Sequence, residues 1–211
     1  MTTLLLDSNR LLRADGFAFD PAAHGWTPAP TPNDGQDVTP TSAAAWLLRD
    51  GGGRRLPVAI VGPREASPGA AKAAEEIAAA LARIGFPLIC GGRGGAMEAA
   101  SRGCAAAGGL MIGILPSDDW REANVHVSIP VATGIGEARN ALIATAGIAL
   151  VSVGGREDPV SYGTISEMAF GLRLGRLVIG MPEAPDLPGV VRCLTADDAA
   201  TCVARRYLAL D

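Results

Sequence analysis

The chain has 211 residues, 48% of them hydrophobic, only 4% aromatic, and a formal charge of −4. This is the size of one ordinary domain with an appendage, its core filled by alanine, leucine, valine and isoleucine. The negative charge argues against a general nucleic-acid or anionic-membrane binder, and no apolar run reaches the ~20 residues of a membrane span.

Residues 1–55 differ in texture from the rest and read as an N-terminal extension. "MTTLLLDSNR" lacks the basic start of a signal peptide, so a cytoplasmic protein is expected. "LLRADGFAFDPAAHGW" suggests a short hairpin around Asp15-Gly16. "TPAPTPNDGQDVTP" reads as a linker. "TPTSAAAWLLRDGGG" predicts one short helix, capped by Thr41 or Ser42 and stopped by Gly51 to Gly53. From Leu56 to the end, the second domain, strands and helices alternate. "LPVAIVG" is a strand, residues 70–84 a helix, "FPLICGG" a strand, "AMEAASRGCAAAG" a helix, "LMIGILP" a strand and "VHVSIPV" a fourth strand. "GEARNALIATA" is a helix, "GIALVSVGG" a strand, "GTISEMAFGLRLG" a helix and "RLVIGM" a strand; a short strand near "GVVRCL" precedes a last helix, "ADDAATCVARRYLAL". Short, continuously apolar strands between helices imply a mainly parallel sheet covered on both faces, a Rossmann-like, doubly wound α/β domain. In such a sheet ligands bind beyond the carboxyl ends of the strands.

Residue types narrow the chemistry. Cys90, Cys104, Cys193 and Cys202 have no C-x-x-C spacing and read as reduced, packed thiols. His24 and His126 are the only histidines, too few for a His-based zinc site. Lys72 is the only lysine and lies in an alanine-rich helix, so neither a Schiff-base lysine nor a Walker-type loop is supplied. Asp118, Asp119 and Glu122 in "SDDWREAN" read as solvated loop carboxylates, and no metal is assigned.

Four predicted strand ends carry glycine beside Arg, Thr or Ser. They are "GPREAS" (Gly62, Arg64), "CGGRGGAMEAA" (Gly91, Gly92, Arg93, Gly94, Gly95), "PVATGIGEARN" (Thr133, Arg139) and "VGGREDPVSYGTISE" (Gly154, Gly155, Gly163, Thr164, Glu167). One such turn is weak, because turns need glycine anyway. Four on one sheet edge point to a phosphate-bearing ligand, held by backbone N–H groups at helix N-termini. "GPREAS" lacks the G-x-G-x-x-G of a dinucleotide fingerprint. Taken singly, Arg64, Arg93 and Arg156 are ordinary loop arginines, Arg139 a solvated or ion-paired helix residue and Glu167 a helix-terminal carboxylate.

"CGGRGGAMEAA", "GGLMIGILP", "ARNALIATAGIALVSVGG" and "GTISEMAFGLRLGR" resemble the Rossmann-like family related to the cytokinin-activating phosphoribohydrolases, many of whose members were once labelled lysine decarboxylases. Within it they are most similar to a bacterial subgroup that itself resembles molybdenum-cofactor carrier proteins. The resemblance covers about residues 56–182, and the single lysine disfavours the decarboxylase label. It implies that Gly154-Gly155, Gly163-Thr164 and Glu167 form a phosphate and ribose site, with Arg139 as the upstream arginine. The chain departs from the hydrolases in two places. Asn140 stands where they carry a basic residue, and seven residues, Arg156 to Tyr162, separate the glycine pair from the Gly-Thr where they have about one.

Three readings follow. The first is hydrolysis of a nucleoside 5′-monophosphate to base and ribose 5-phosphate. Glu167, expected in the first turn of its helix where the dipole favours its ionised form, would oppose oxocarbenium charge. Arg139 would grip the phosphate or the departing base. The second is a non-catalytic carrier or sensor of a phosphorylated cofactor such as molybdopterin. The third is an interaction protein with a vestigial pocket. No resident cofactor is required; the expected partner is a phosphorylated small molecule, nucleotide or pterin, and neither nucleic acid nor membrane. The resemblance also implies a homodimer or larger assembly. The segment Arg156 to Tyr162 is read as an insert in a real phosphate turn, offering Arg156 or Tyr162 for selectivity.

Overall fold

The structure, a computed structural model, describes residues 2–7, 9–30, 35–156 and 160–210. Two compact units divide them, one formed by Met1–Arg55 with Thr201–Asp211, the other by Leu56–Ala200. The front boundary lies where composition changes. The last eleven residues, expected to belong with 56–200, group with the first unit.

In the first unit a five-stranded antiparallel sheet replaces the single hairpin expected. Its strands are β1 (Leu4–Asp7), β2 (Arg10–Arg13), β3 (Phe17–Asp20), β4 (Gly25–Pro28) and β5 (Gln36–Val38), in the order β4-β3-β2-β1-β5. The Asp15-Gly16 turn is present, with Gly16 at φ +89° and its N–H bonded to Arg13 O at 3.1 Å. The supposed linker contributes to β4 and supplies β5. Its polar residues have weak strand propensity, and pairing with β1 (Leu4 opposite Val38) overrides it. Helix α1 (Pro40–Arg49) is capped by Thr39, not Thr41 or Ser42: the Thr39 hydroxyl accepts from the Ser42 N–H at 3.1 Å. Pro40 at the first helical position has no N–H to leave unsatisfied. Tyr207 and Trp26 explain the grouping of the C-terminus. The Tyr207 hydroxyl donates to Arg54 O at 3.0 Å, the Trp26 indole donates to Leu208 O at 2.6 Å, and the His24 ring packs edge-on to Tyr207.

The second unit is the Rossmann-like domain. Its strands are β6 (Val58–Val61), β7 (Leu88–Cys90), β8 (Met111–Leu115), β9 (Ile129–Ala132), β10 (Ala149–Ser152), β11 (Leu177–Gly180) and β12 (Val191–Arg192). They form one parallel sheet in the order β12-β11-β10-β6-β7-β8-β9. Strands β6, β7 and β10 are buried along their whole length, as their unbroken apolar runs require. Helices α2 (Pro68–Ile84) and α3 (Ala96–Ala106) pack together, as do α4 (Arg139–Ala146) and α5 (Tyr162–Arg173). Helix α6 (Ala196–Tyr207) runs from this unit into the first. One core layer joins Ala59, Val61, Leu150 and Val178 of the sheet to Ile143 and Ala144 of α4 and Met168 of α5. A Cβ at Gly103 would lie 2.2 Å from Glu75 O, so a glycine there lets α3 approach the α2 backbone. The expected helix from Gly136 begins as a 3₁₀ turn, Gly136–Ala138, and becomes α-helical at Arg139. Among the described residues no helix is long and apolar enough to cross a membrane.

The strand order places a topological switch between β6 and β10. The chain runs outward from β6 through β7 to β9, then returns to β10 and runs outward the other way. The loops after β6 and β10 diverge there and leave a crevice at the carboxyl edge.

Candidate functional site

That crevice is a pocket of about 120 Å³, lined by residues from each of the diverging connections. Gly62 and Arg64 follow β6, and Gly91, Arg93 and Met97 follow β7. Glu137, Arg139 and Asn140 open α4, and Ser161, Gly163, Thr164 and Glu167 belong to α5 and its cap. The volume is well below the roughly 300–1,000 Å³ of sites that engulf a whole ligand. It suits one polar end of a molecule, with the remainder at the rim.

Arg139 and Glu167 form its floor. Both are 5% exposed. Arg139 Nη1 is 3.7 Å from Glu167 Oε1, and Nη2 is 3.8 Å from Oε2 of the solvent-facing Glu137; Arg139 Nε has no hydrogen-bond partner among the described residues. The guanidinium lies against Gly91: a Cβ there would be 2.3 Å from Nη1 and 2.8 Å from Cζ.

Glu167 corrects the sequence reading. It is the sixth residue of α5, counted from Tyr162, and so lies beyond the first turn. Burial raises its carboxyl to about 8, against the lowering effect of Arg139 and with some help from Glu137. Desolvation defeats the attraction because the nearest guanidinium nitrogen is beyond hydrogen-bond reach. Burial thus pushes Glu167 toward its acid form, away from the dipole-stabilised carboxylate expected.

The turns are held by specific contacts. Ser161 caps α5, its hydroxyl accepting from the Thr164 N–H at 3.3 Å and lying 2.8 Å from Thr164 Oγ1. Gly155, at φ +105°, packs its backbone against Ser161 and Thr164, while Gly154 packs against Ala70 and Pro63. Gly92 and Gly95 have φ of +73° and +66°; Gly95 caps α3, and Arg64 O occupies the place a Cβ would need. Asn124, which the sequence did not flag, clamps this turn. Its N–H and Nδ2 both donate to Gly92 O, at 2.9 and 3.1 Å, and Nδ2 also donates to Arg93 O at 2.9 Å.

The structure thus gathers Gly62, Arg64, Gly91, Arg93, Arg139, Gly163, Thr164 and Glu167 around one pocket. Gly92, Gly94, Gly95, Gly154 and Gly155 shape the turns behind it. Thr133 lies outside, its hydroxyl donating to Leu115 O at 2.6 Å. Arg156 and Tyr162 do not line it. The Arg156 N–H bonds Glu183 O at 3.2 Å, and Tyr162 is the first residue of α5, 80% exposed. Residues 157–159 of the insert lie outside the described residues. Arg93 is paired with Glu122, and Asp119 with Arg121 at 2.9 Å. Ser161 was legible as S-x-x-T before an amphipathic run; Asn124 carried no signal, since its partners are backbone carbonyls distant in sequence. A larger groove of about 620 Å³ between α2, α3 and the start of α6 is open and lined by charges such as Lys72, Glu76 and Arg83.

Fold and pocket define the class: a Rossmann-like α/β protein with an arginine-lined crevice at the switch point of its sheet. The model of the SLOG cluster4 family matches residues 55–202, and the chain belongs to that family. An uncharacterised protein of Archaeoglobus fulgidus is 34% identical over 144 residues, 68% of this chain and 91% of its own. The structure of the molybdenum cofactor binding protein of the phototrophic bacterium Rippkaea orientalis is similar at TM-score 0.65 and 30% identity, over 71% of this chain and 96% of that one. The molybdenum cofactor carrier protein of Chlamydomonas reinhardtii is similar at TM-score 0.63 and 29% identity, over 72% and 98%. The resemblance drawn from the glycine-rich motifs is right in family and fold, and the carrier-like relatives favour the second reading over the first.

Proposed function

We propose that this chain binds and carries a phosphorylated pterin of the molybdenum-cofactor type, with the phosphate end in the switch-point pocket. The observation that carries this reading is the small, arginine-lined switch-point pocket, in which Arg139 is buried with its Nε unpartnered among the described residues. Opposing oxocarbenium charge needs a carboxylate, and burial pushes Glu167, the only buried carboxyl among the described residues, toward its acid form. Arg64, Arg93 and Arg139 outnumber Glu137 and Glu167 in the lining, so it favours an anion. A carboxylic acid O–H and the partnerless Arg139 Nε are both donors suited to phosphate oxygens. The pocket's small volume leaves the ring system at the rim, where the exposed Tyr162 beside Ser161 and Gly163 offers a flat surface for stacking, and Arg156 stands near the same turn. The carrier-like structural relatives support the pterin as cargo.

A second reading rests on the convergence of Arg139 and Glu167 in one pocket. A carboxyl that titrates at about 8 is a proton donor at neutral pH. In a phosphoribohydrolase it would protonate the departing base, a role different from the charge stabilisation first expected. One experiment separates the two. The protein is titrated with 6-hydroxymethylpterin phosphate and, separately, incubated with a panel of nucleoside 5′-monophosphates analysed by chromatography. Pterin binding without base release supports the carrier. Base release that Glu167→Gln lowers by ~100-fold or more would replace it with the hydrolase.

A further inference from the structure

Asn140 lines the pocket, is 5% exposed, and its Oδ1 has no hydrogen-bond partner among the described residues. Buried polar atoms are nearly always satisfied, so an orphan facing a pocket asks for an explanation. The amide's orientation is fixed by its surroundings. Asn140 Nδ2 donates to Ser166 Oγ at 3.4 Å, and the Ser166 hydroxyl gives its own hydrogen to Gly163 O at 2.7 Å. Ser166 therefore has only a lone pair for Asn140. The reverse orientation would set Oδ1 against that lone pair. The acceptor Oδ1 is thus left for something else, in a pocket where the buried Arg139 offers only donors and the buried Thr164 hydroxyl already pairs with Ser161.

We infer that Asn140 is a specificity-determining residue: its side-chain carbonyl accepts a hydrogen bond from an N–H or O–H group that the ligand carries close to its phosphate. This rests on the phosphate-ligand reading above and adds to it a required donor. A basic residue at this position, as in the hydrolases the motifs resemble, would instead present a second donor and select for negative charge. An asparagine held by Ser166 selects for a hydroxyl or an amino group. A sugar hydroxyl and a pterin ring N–H both have that chemistry.

The test compares three phosphomonoesters by thermal-shift and NMR titration of the full chain. Methyl phosphate has no carbon- or ring-borne donor, ribose 5-phosphate has sugar hydroxyls, and 6-hydroxymethylpterin phosphate, used in its tetrahydro form, has a ring N–H at N5 beside the carbon that bears the phosphate arm. In the wild type at least one donor-bearing ester should bind about tenfold more tightly than methyl phosphate, the scale of one neutral hydrogen bond. Asn140→Leu, close in size but without the acceptor, should erase that advantage and leave methyl phosphate binding within about twofold. The ester that loses its advantage identifies sugar or pterin as the source. Ser166→Ala, which releases the amide, should lower the advantage by about threefold or more and decides the matter if Asn140→Leu folds poorly. If methyl phosphate binds as well as both others, or the variants keep the wild-type ratio, the inference is wrong while phosphate binding stands. If none of the three binds, the phosphate-ligand reading falls and takes the inference with it.

Discussion

Glu167→Gln distinguishes a buried acid from a buried ion pair through the sign of a pH effect. Glu167 titrates at about 8 in the folded protein and at about 4.3 when exposed in an unfolded chain. The native state therefore holds a proton that the unfolded state releases. The contribution of Glu167 to stability is greatest below about pH 4, falls as pH rises between the two values, and levels off above 8. Integrated to pH 7, the difference is about 3–4 kcal/mol against folding at 1.36 kcal/mol per pH unit. Glutamine ionises in neither state and escapes this loss. The altered hydrogen bonds of the amide add an offset that does not change with pH. The stability of Glu167→Gln relative to wild type should then rise by about 3 kcal/mol between pH 4 and pH 7. Urea unfolding followed by circular dichroism at pH 4, 5, 6, 7 and 8 measures it. A relative stability that falls over the same range would mean that Glu167 is ionised and held by Arg139, and would refute the reasoning.

Gly91→Ala places a methyl group where the Arg139 guanidinium lies, 2.3 Å from Nη1. It should cost about 1–3 kcal/mol as Arg139 and Met97 shift, and calorimetric titration with pterin phosphate should show binding weakened at least tenfold. Tyr162→Ala should leave the melting temperature unchanged, because the ring is 80% exposed. It should weaken pterin phosphate by about 1–3 kcal/mol if the ring stacks there, and unchanged affinity would remove Tyr162 from the site. We propose a homodimer or larger assembly, for which Leu142 of α4 with Phe170 and Leu174 at the end of α5 leave apolar surface exposed; a monomer by light scattering across the micromolar range would refute it.

The alternation of unbroken apolar strands with amphipathic helices made the second unit legible, because burial on both faces of a parallel sheet forces that pattern. The glycine turns were legible for the same kind of reason: positive φ at Gly92, Gly95 and Gly155 leaves little choice of residue. The first unit was not. "LLLDSNRLLR" has no alternation to mark two antiparallel strands, and β5 is a polar edge strand that exists only through its pairing with β1. Position along a helix also misled. Glu167 lies beyond the first turn whether the helix is counted from the expected Gly163 or from Tyr162, and sequence spacing cannot report the desolvation that shifts its protonation. Thr133 shared the composition of the site without its place, because its hydroxyl is used on the β8 carbonyl edge. Asn124 and the orientation of Asn140 depend on partners brought together only by the folded chain.

The central claim, that this chain carries a phosphorylated pterin in its switch-point pocket, is tested most directly by native mass spectrometry of the gently purified protein. The account predicts a bound mass of the pterin phosphate class, released on denaturation as a fluorescent pterin and lost or greatly diminished in Arg139→Ala. A bound nucleoside monophosphate in its place, or a pterin retained undiminished by Arg139→Ala, would contradict it.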